Sequence, residues 1–306
     1  MQVFQLRVGR VCPNELVFTP SGNALVIGAL PYVLFDLSSG GKQQNLEPLG
    51  LGSWGWALIR NGAAIAHIPS SKQVQVYEIQ SREVHRHEVE KGDARAIATN
   101  QSGDTIYLSV GALGFRAESE IRVVRASDMT VLSTFGKVDD FPGQLSLSWD
   151  ETTIATSGGN LNALLRGENI SFRVWNIANG NLPGQARVRI EPPNVVNAFA
   201  LTSAGDLLAV AESTALSLWN TTSGEEVFRS GKHRRKVTTV ACSPAHPILI
   251  TGDKAGHVFV WDYRGNILAR YDWGLGEIYS LAFAPDGLRA AAVDHSGKLV
   301  VWDVDV

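Results

Sequence analysis

The sequence predicts an all-β fold: a seven-bladed β-propeller of four-stranded antiparallel blades, its ring closed by an N-terminal strand that completes the last blade. Three observations predict it. First, a short apolar strand ending in an aromatic residue recurs along the chain. Trp302, Trp261, Trp219 and Trp175 stand 41, 42 and 44 residues apart, and Tyr77 and Phe35 stand 42 apart. Val124 in "IRVVR" fills the gap of 98 residues between Tyr77 and Trp175. Second, glycine turns recur with the same period and phase, at Gly22, Gly62, Gly103, Gly205 and Gly287. Third, the chain opens on an apolar strand, "VFQLRV" (3–8), and stops soon after the third strand of its last unit. A period of roughly 40–45 residues ending in a short apolar strand marks a repeat of blades rather than one large sheet.

Each unit can be followed in order. The first holds the turn "TPSGN" and the strand "YVLFD", the second "RNGA" and "VQVYE", the third "NQSGD" and "IRVVR". Between the second and third, residues 81–98 are rich in Glu and Lys and read locally as helix. The repeat phase assigns them instead to an outer strand, a loop and the next inner strand. The fourth unit replaces the glycine turn by "WDETT" and ends in Trp175; the fifth has "TSAGD" and Trp219. The sixth replaces the turn by "SPAHP" and ends in "VFVWD"; the seventh has "APDG" and "LVVWD". Strands such as "HVFVW" and "KLVVW" are apolar at successive positions, so both their faces are covered, as in a sheet wedged between two others. Strands before the turns carry small residues (Ala96 and Ala98, Ala198 and Ala200, Ala241 and Cys242, Ala282 and Ala284), which suits an inner strand where blades converge. The expectation is one propeller domain over residues 1–306.

Composition describes an ordinary folded chain: 306 residues, 44% hydrophobic and 19% charged, with a formal net charge of −3. That balance offers no general attraction to nucleic acid or to anionic membrane. No stretch approaches the roughly 18 apolar residues that span a bilayer, and the start lacks the apolar core of a signal peptide. Cys12 and Cys242 fall in the first and sixth units, poorly placed to bond. These features lead to the expectation of a reduced, cytoplasmic protein.

The Trp-Asp pairs Trp261-Asp262 and Trp302-Asp303, with the near matches Trp175-Asn176 and Trp219-Asn220, resemble the WD-repeat (WD40) family of seven-bladed propellers. Phe35-Asp36 and Tyr77-Glu78 are degenerate copies, and Val124-Arg125 has lost the pair. The resemblance implies a non-catalytic platform for protein partners. Members of that family carry a Gly-His pair before the inner strand and an Asp six residues before the Trp, joined with a Ser or Thr in a buried hydrogen-bond network. Here His233 follows Lys232, and six residues before Trp261 and Trp302 stand Ala255 and Ser296, with Asp253 and Asp294 eight before. The expectation is that the tryptophans hold their blades by packing, without that network.

Catalytic and cofactor patterns find little support. "GLGSWG" (50–55) matches G-x-G-x-x-G but runs into a short inner strand, where a dinucleotide site needs a helix N-terminus. His85 and His87 form an H-x-H pair on an outer strand, with no third ligand suggested for zinc. Residues at the expected channel mouth are mixed: Cys12, Gly52, Asp93, Val195, Lys236 and Glu277, with Asp139 and Asp140 available from the irregular fourth unit. Such a set makes neither a metal cage nor an acid–base pair. No catalytic residue, metal or cofactor is therefore expected. The competing reading is a propeller hydrolase or lactonase that uses polar residues at that mouth. Lys236 and Glu277, phase-equivalent in adjacent units, are expected to approach each other.

Binding surfaces are better marked. Two loops break the period, residues 110–119 ("VGALGFRAES") and 158–169 ("GGNLNALLRGEN"). Each is expected to join the second and third strands of its blade and so to emerge on one face. Phe115, Arg116, Leu164, Leu165 and Arg166 then form a partner-binding patch, extended by Trp54 and Trp273, since apolar groups flanked by Arg suit an interface. The basic run "KHRRK" (232–236) offers Arg234 and Arg235 to phosphate or to an acidic partner segment, the alternative being a solvated loop. The expected role is a monomeric scaffold within a complex, binding proteins but neither nucleic acid nor membrane.

Overall fold

A computed structural model describes residues 4–7, 15–28, 32–46, 55–111, 119–138, 141–159, 170–177 and 186–305. Among them are seven sheets of four antiparallel strands, six in consecutive chain order and the seventh completed by the N-terminal strand, and a single 3₁₀ turn at Arg60–Gly62. The fold is the seven-bladed β-propeller type that the repeat period predicts. Residues 81–98 are strand, loop and strand, at Val84–Glu88 and Asp93–Thr99, so the repeat phase overrides the helical composition of this stretch.

The chain divides into two compact units. One holds the second, third and fourth blades. These begin on the inner strands Trp56–Ile59, Asp93–Thr99 and Phe141–Leu147. The other holds the first, fifth, sixth and seventh blades. Their inner strands are Glu15–Phe18, Val196–Leu201, Val237–Cys242 and Ile278–Phe283. In the seventh blade the fourth strand is the N-terminal Phe4–Arg7, which pairs antiparallel with Lys298–Asp303 from Phe4 opposite Val301 to Arg7 opposite Lys298. The last blade is completed by the N-terminal strand, as expected.

The core of each unit lies between its blades. Ile59, Ala66 and Val76 of the second blade meet Ile97, Leu108 and Val124 of the third. In the other unit, Leu25, Ile27 and Phe35 meet Ala291, Val293 and Leu299, and Ile250, Val258 and Val260 meet Ile278, Ala292 and Trp302. This two-sided burial is why the middle strands are apolar at successive positions. The recurring slot at the end of the third strand is buried in every blade: Phe35, Tyr77, Val124, Trp175, Trp219, Trp261 and Trp302.

The recurrent turn needs a left-handed residue. Gly22, Gly103, Gly205 and Gly287 supply it with φ of 65–71°, each donating its N–H to the residue three before. In "WDETT" the same place is held by Glu151 at φ 59°, with its N–H on the Ser148 carbonyl. The turn survives there although its glycine is gone.

The inner strands of the third, fifth, sixth and seventh blades share a bulge at their second or third residue, which skips Arg95, Asn197, Thr238 and Tyr279 in the pairing. A bulged residue is re-aimed out of the ladder. Asn197 Nδ2 uses this to reach the Val237 carbonyl at 2.9 Å, and Thr238 Oγ1 to reach the Ile278 carbonyl at 2.6 Å. Each staples its blade to the next. Tyr279 makes no such bond to the next blade among the described residues and is 40% exposed.

Candidate functional site

The sixth blade carries a buried hydrogen-bond chain that sets the course of the loop before it. Trp261 Nε1 can only donate, and does so to Thr251 Oγ1 at 2.8 Å. The Thr251 hydroxyl then donates to His233 Nε2 at 2.7 Å, which leaves the imidazole proton on Nδ1, 3.0 Å from Asp253 Oδ2. The other carboxylate oxygen of Asp253 closes the turn after its strand, accepting the N–H groups of Ala255 (2.8 Å) and His257 (3.1 Å). His233, Thr251, Asp253 and Trp261 are all buried.

This overturns the expectation that packing alone holds the tryptophans. The acid sits eight residues before Trp261 because it belongs to the end of the second strand, Ile248–Asp253, where it caps the turn. The expectation holds better in the seventh blade. There Asp294 accepts the Gly276 N–H at 2.8 Å, Ala292 replaces the threonine, and Trp302 packs against Trp273 and Tyr271 with ring centroids 4.8 and 5.9 Å away. In the fifth blade Glu212, fully buried, takes the equivalent place. It accepts from the Ser217 hydroxyl and from Arg229, while Trp219 Nε1 donates to Ser217 Oγ at 2.8 Å.

Because His233 is locked inward, its neighbours are turned outward. Lys232, Arg234, Arg235 and Lys236 are exposed, and none makes a side-chain hydrogen bond or ion pair among the described residues. The Lys254 N–H donates to the Lys236 carbonyl at 2.8 Å, and the His295 N–H donates to the Glu277 carbonyl at 2.9 Å, so Lys236 and Glu277 are indeed equivalent. Yet the Glu277 carboxylate meets Lys254, at 3.7 Å, rather than Lys236. The expected pair is replaced because the neighbouring turn, not the strand start, brings its lysine within reach.

The other predicted residues are distributed as follows. Phe115, Arg116, Leu164, Leu165, Arg166 and Trp54 lie outside the described residues, as do Cys12, Gly52, Asp139 and Asp140. The strands that flank the long loops, Thr105–Gly111 with Ser119–Arg125 and Thr153–Gly159 with Ser171–Asn176, are the second and third of their blades, as expected. Trp273 is half-buried, stacked on Tyr271 at 4.7 Å and against Trp302. Asp93 is buried and paired with Lys72 at 3.1 Å; Val195 is exposed. His87 lines a cleft of about 440 Å³ between the second and third blades, floored by Val74, Leu108, Val124 and Met129.

Titration of the buried groups leads to a test of stability. Burial opposes ionisation of Asp253 and Asp294, but hydrogen bonds to their carboxylates outweigh it and hold both below the usual range. Burial holds His67 below the ordinary imidazole value, against its bond to Gln75. In all three cases the unfolded chain binds more protons than the folded one as pH falls, so stability rises with pH. The histidine contribution fades as pH drops below about 6.5, and the aspartate contribution as it drops below about 4. Glu15, whose carboxyl burial pushes up to about 7, acts in the opposite sense and offsets the histidine as pH falls from 7. An unfolding midpoint followed by circular dichroism should therefore fall clearly once pH drops below about 4, and a midpoint that rises in that range contradicts this.

Comparison with known proteins agrees with this geometry. The model of the WD domain, G-beta repeat, matches residues 224–262 and 271–303, which take in the sixth and seventh blades' Trp-Asp strands. The chain is 29% identical over 107 residues to eukaryotic translation initiation factor 3 subunit I of Pyricularia oryzae, covering 33% of this chain and 31% of that protein. It is 30% identical over 116 residues to the same subunit of Coccidioides immitis, covering 36% of this chain and 34% of that protein. The chain thus matches about a third of the length of these curated relatives. Two matched repeats, in a chain whose seven sheets share one strand order and one buried slot, make this a WD-repeat propeller whose earlier blades have largely lost the signature pair.

Proposed function

We propose that the chain is a non-catalytic, cytoplasmic platform that binds protein partners within a larger assembly. One observation carries the reading. The acids at the ends of the second strands of the fifth, sixth and seventh blades, Glu212, Asp253 and Asp294, are all buried and committed to structural hydrogen bonds. A carboxylate so engaged is poorly placed to act as general base or nucleophile. What these blades offer to solvent is loop surface, and the WD-repeat family and relatives named as a subunit support its use for protein contacts.

The partner-binding face of this proposal is assigned to the loops at 110–119 and 158–169, with Phe115, Arg116, Leu164, Leu165 and Arg166 as its anchors and Trp54 at its margin. Interface energy concentrates in a few aromatic and Arg residues. Affinity capture with the full chain should therefore yield a partner set that the F115A/R166A variant loses, while its unfolding midpoint stays within about 1–2 °C of the parent, as for surface changes. Capture of the same proteins by both would remove this face. A stoichiometric metal with turnover on a hydrolase or lactonase substrate panel would replace the platform reading by the enzymatic one.

A further inference from the structure

We propose that the loop before the inner strand of the sixth blade is an anion-recognition surface that docks a carboxylate-rich peptide segment of a partner. The proposal rests on the platform reading and adds the chemistry of the partner to it. The loop is held at its centre: His233 is buried and bonded through both ring nitrogens, to Thr251 and to Asp253. The residues on either side of it, Lys232 and Arg234, Arg235 and Lys236, are therefore presented on backbone that the blade itself fixes. Preorganised donors lose less freedom on binding than donors on a mobile loop.

Charge points to an acidic ligand. The whole chain has 27 Lys and Arg against 30 Asp and Glu, so most of its cations have acids to balance them. In this loop four cations fall within five residues, and the Lys254 turn brings a fifth beside Lys236. Glu277, on Lys254, is the one carboxylate that any of the five meets among the described residues. A guanidinium fork binds a carboxylate through two parallel N–H···O bonds, and among the described residues Arg234 and Arg235 have theirs uncommitted. Next to Glu277 the bulge presents Tyr279, 40% exposed and 6.3 Å from the exposed His295 ring, which adds a face for the side chains of a bound segment.

The same observations favour a peptide over nucleic acid. A nucleic-acid surface is usually a basic stripe on a basic domain, which follows a backbone with one charge every few ångströms. This cluster is compact, is interrupted by Glu277, and belongs to a chain of net charge −3.

The test uses the full chain and two probes of equal length, fluorescein-labelled decaglutamate and a labelled ten-nucleotide single-stranded RNA, followed by fluorescence anisotropy. The variants are R234A/R235A and, as a control that removes equal charge from other exposed positions, K42A/R82A. Decaglutamate should bind the parent with an affinity that falls as NaCl is raised. It should bind R234A/R235A at least about tenfold more weakly, as the loss of charge-assisted bonds requires, and K42A/R82A within about twofold of the parent. The unfolding midpoint of R234A/R235A should match the parent, since both residues are exposed and neither makes a side-chain hydrogen bond or ion pair among the described residues. No binding of decaglutamate, equal loss in both variants, or tighter RNA binding that depends on Arg234 and Arg235 would each overturn the proposal. Partners captured by the parent and lost by F115A/R166A, without decaglutamate binding, would overturn this inference and leave the platform standing.

Discussion

Deletion of residues 1–9 is expected to lower the unfolding midpoint sharply and to turn the protein into one that associates. The strand Phe4–Arg7 is the outer strand of the seventh blade, and its removal exposes the edge of Lys298–Asp303. That strand holds Leu299, Val300, Val301 and Trp302, all buried, so its uncovered edge belongs to the core of its unit rather than to a polar rim. The outer strands of the first and second blades are far more polar: Lys42–Leu46 is mostly exposed, and Val84–Glu88 carries His85, Arg86, His87 and Glu88. Each backbone group left buried without a partner costs about 1–3 kcal/mol, and several are lost together. An apolar strand with an open edge is also a template for pairing with a second chain. Thermal unfolding with light scattering checks both effects. An unchanged midpoint and a monomeric elution profile would show that the N-terminal strand is dispensable to the last blade.

This strand was legible because it follows from counting. A repeat whose last unit shows three strands, in a chain that opens on an unassigned apolar strand, leaves one pairing. The turns were legible for a similar reason, since a position with φ near +65° selects glycine. The structure shows the limit of that signal at Glu151, where the surrounding hydrogen bonds hold a non-glycine residue in the same conformation. The site was harder to read. Asp253 was visible at its place, but its role depends on which residue ends the strand and closes the turn, a difference of two positions that spacing from Trp261 does not resolve. Thr251 looked like one more residue of a buried strand. Its neighbours Ile250 and Gly252 gave no sign that its hydroxyl would bridge an indole and an imidazole. The bulges were equally hidden, although Asn197, the polar residue in the otherwise apolar strand Val196–Leu201, was the trace of one. Lys236 and Glu277 show the same limit from the other side. Register made them equivalent, but which charges meet is decided by the reach of Lys254 from the adjacent turn.

The hydrogen-bond chain of the sixth blade leads to the second large effect, a difference between two tryptophans in the same slot. Trp261→Ala is expected to cost about 4–5 kcal/mol and Trp302→Ala about 3–4, within the range for deleting a buried indole. The distinction is sharper for phenylalanine, which keeps most of the packing. Trp302 is held by Tyr271 and Trp273, so Trp302→Phe removes mainly contact area and should cost about 1 kcal/mol. Trp261→Phe also removes the donor to Thr251 Oγ1, in a site where His233 and Asp253 depend on the next bonds in line. A buried acceptor deprived of its donor adds about 1–3 kcal/mol. Trp261→Phe should therefore be more destabilising than Trp302→Phe by at least 1 kcal/mol in chemical denaturation. A cycle with Thr251→Val supplies the control, because valine removes the hydroxyl that both the indole and His233 use. Trp261→Phe in that background should lose most of its extra cost, a coupling of about 1 kcal/mol or more. Additive costs in the cycle would mean that the indole N–H contributes nothing through Thr251, and that the sixth blade, like the seventh, is held by packing alone.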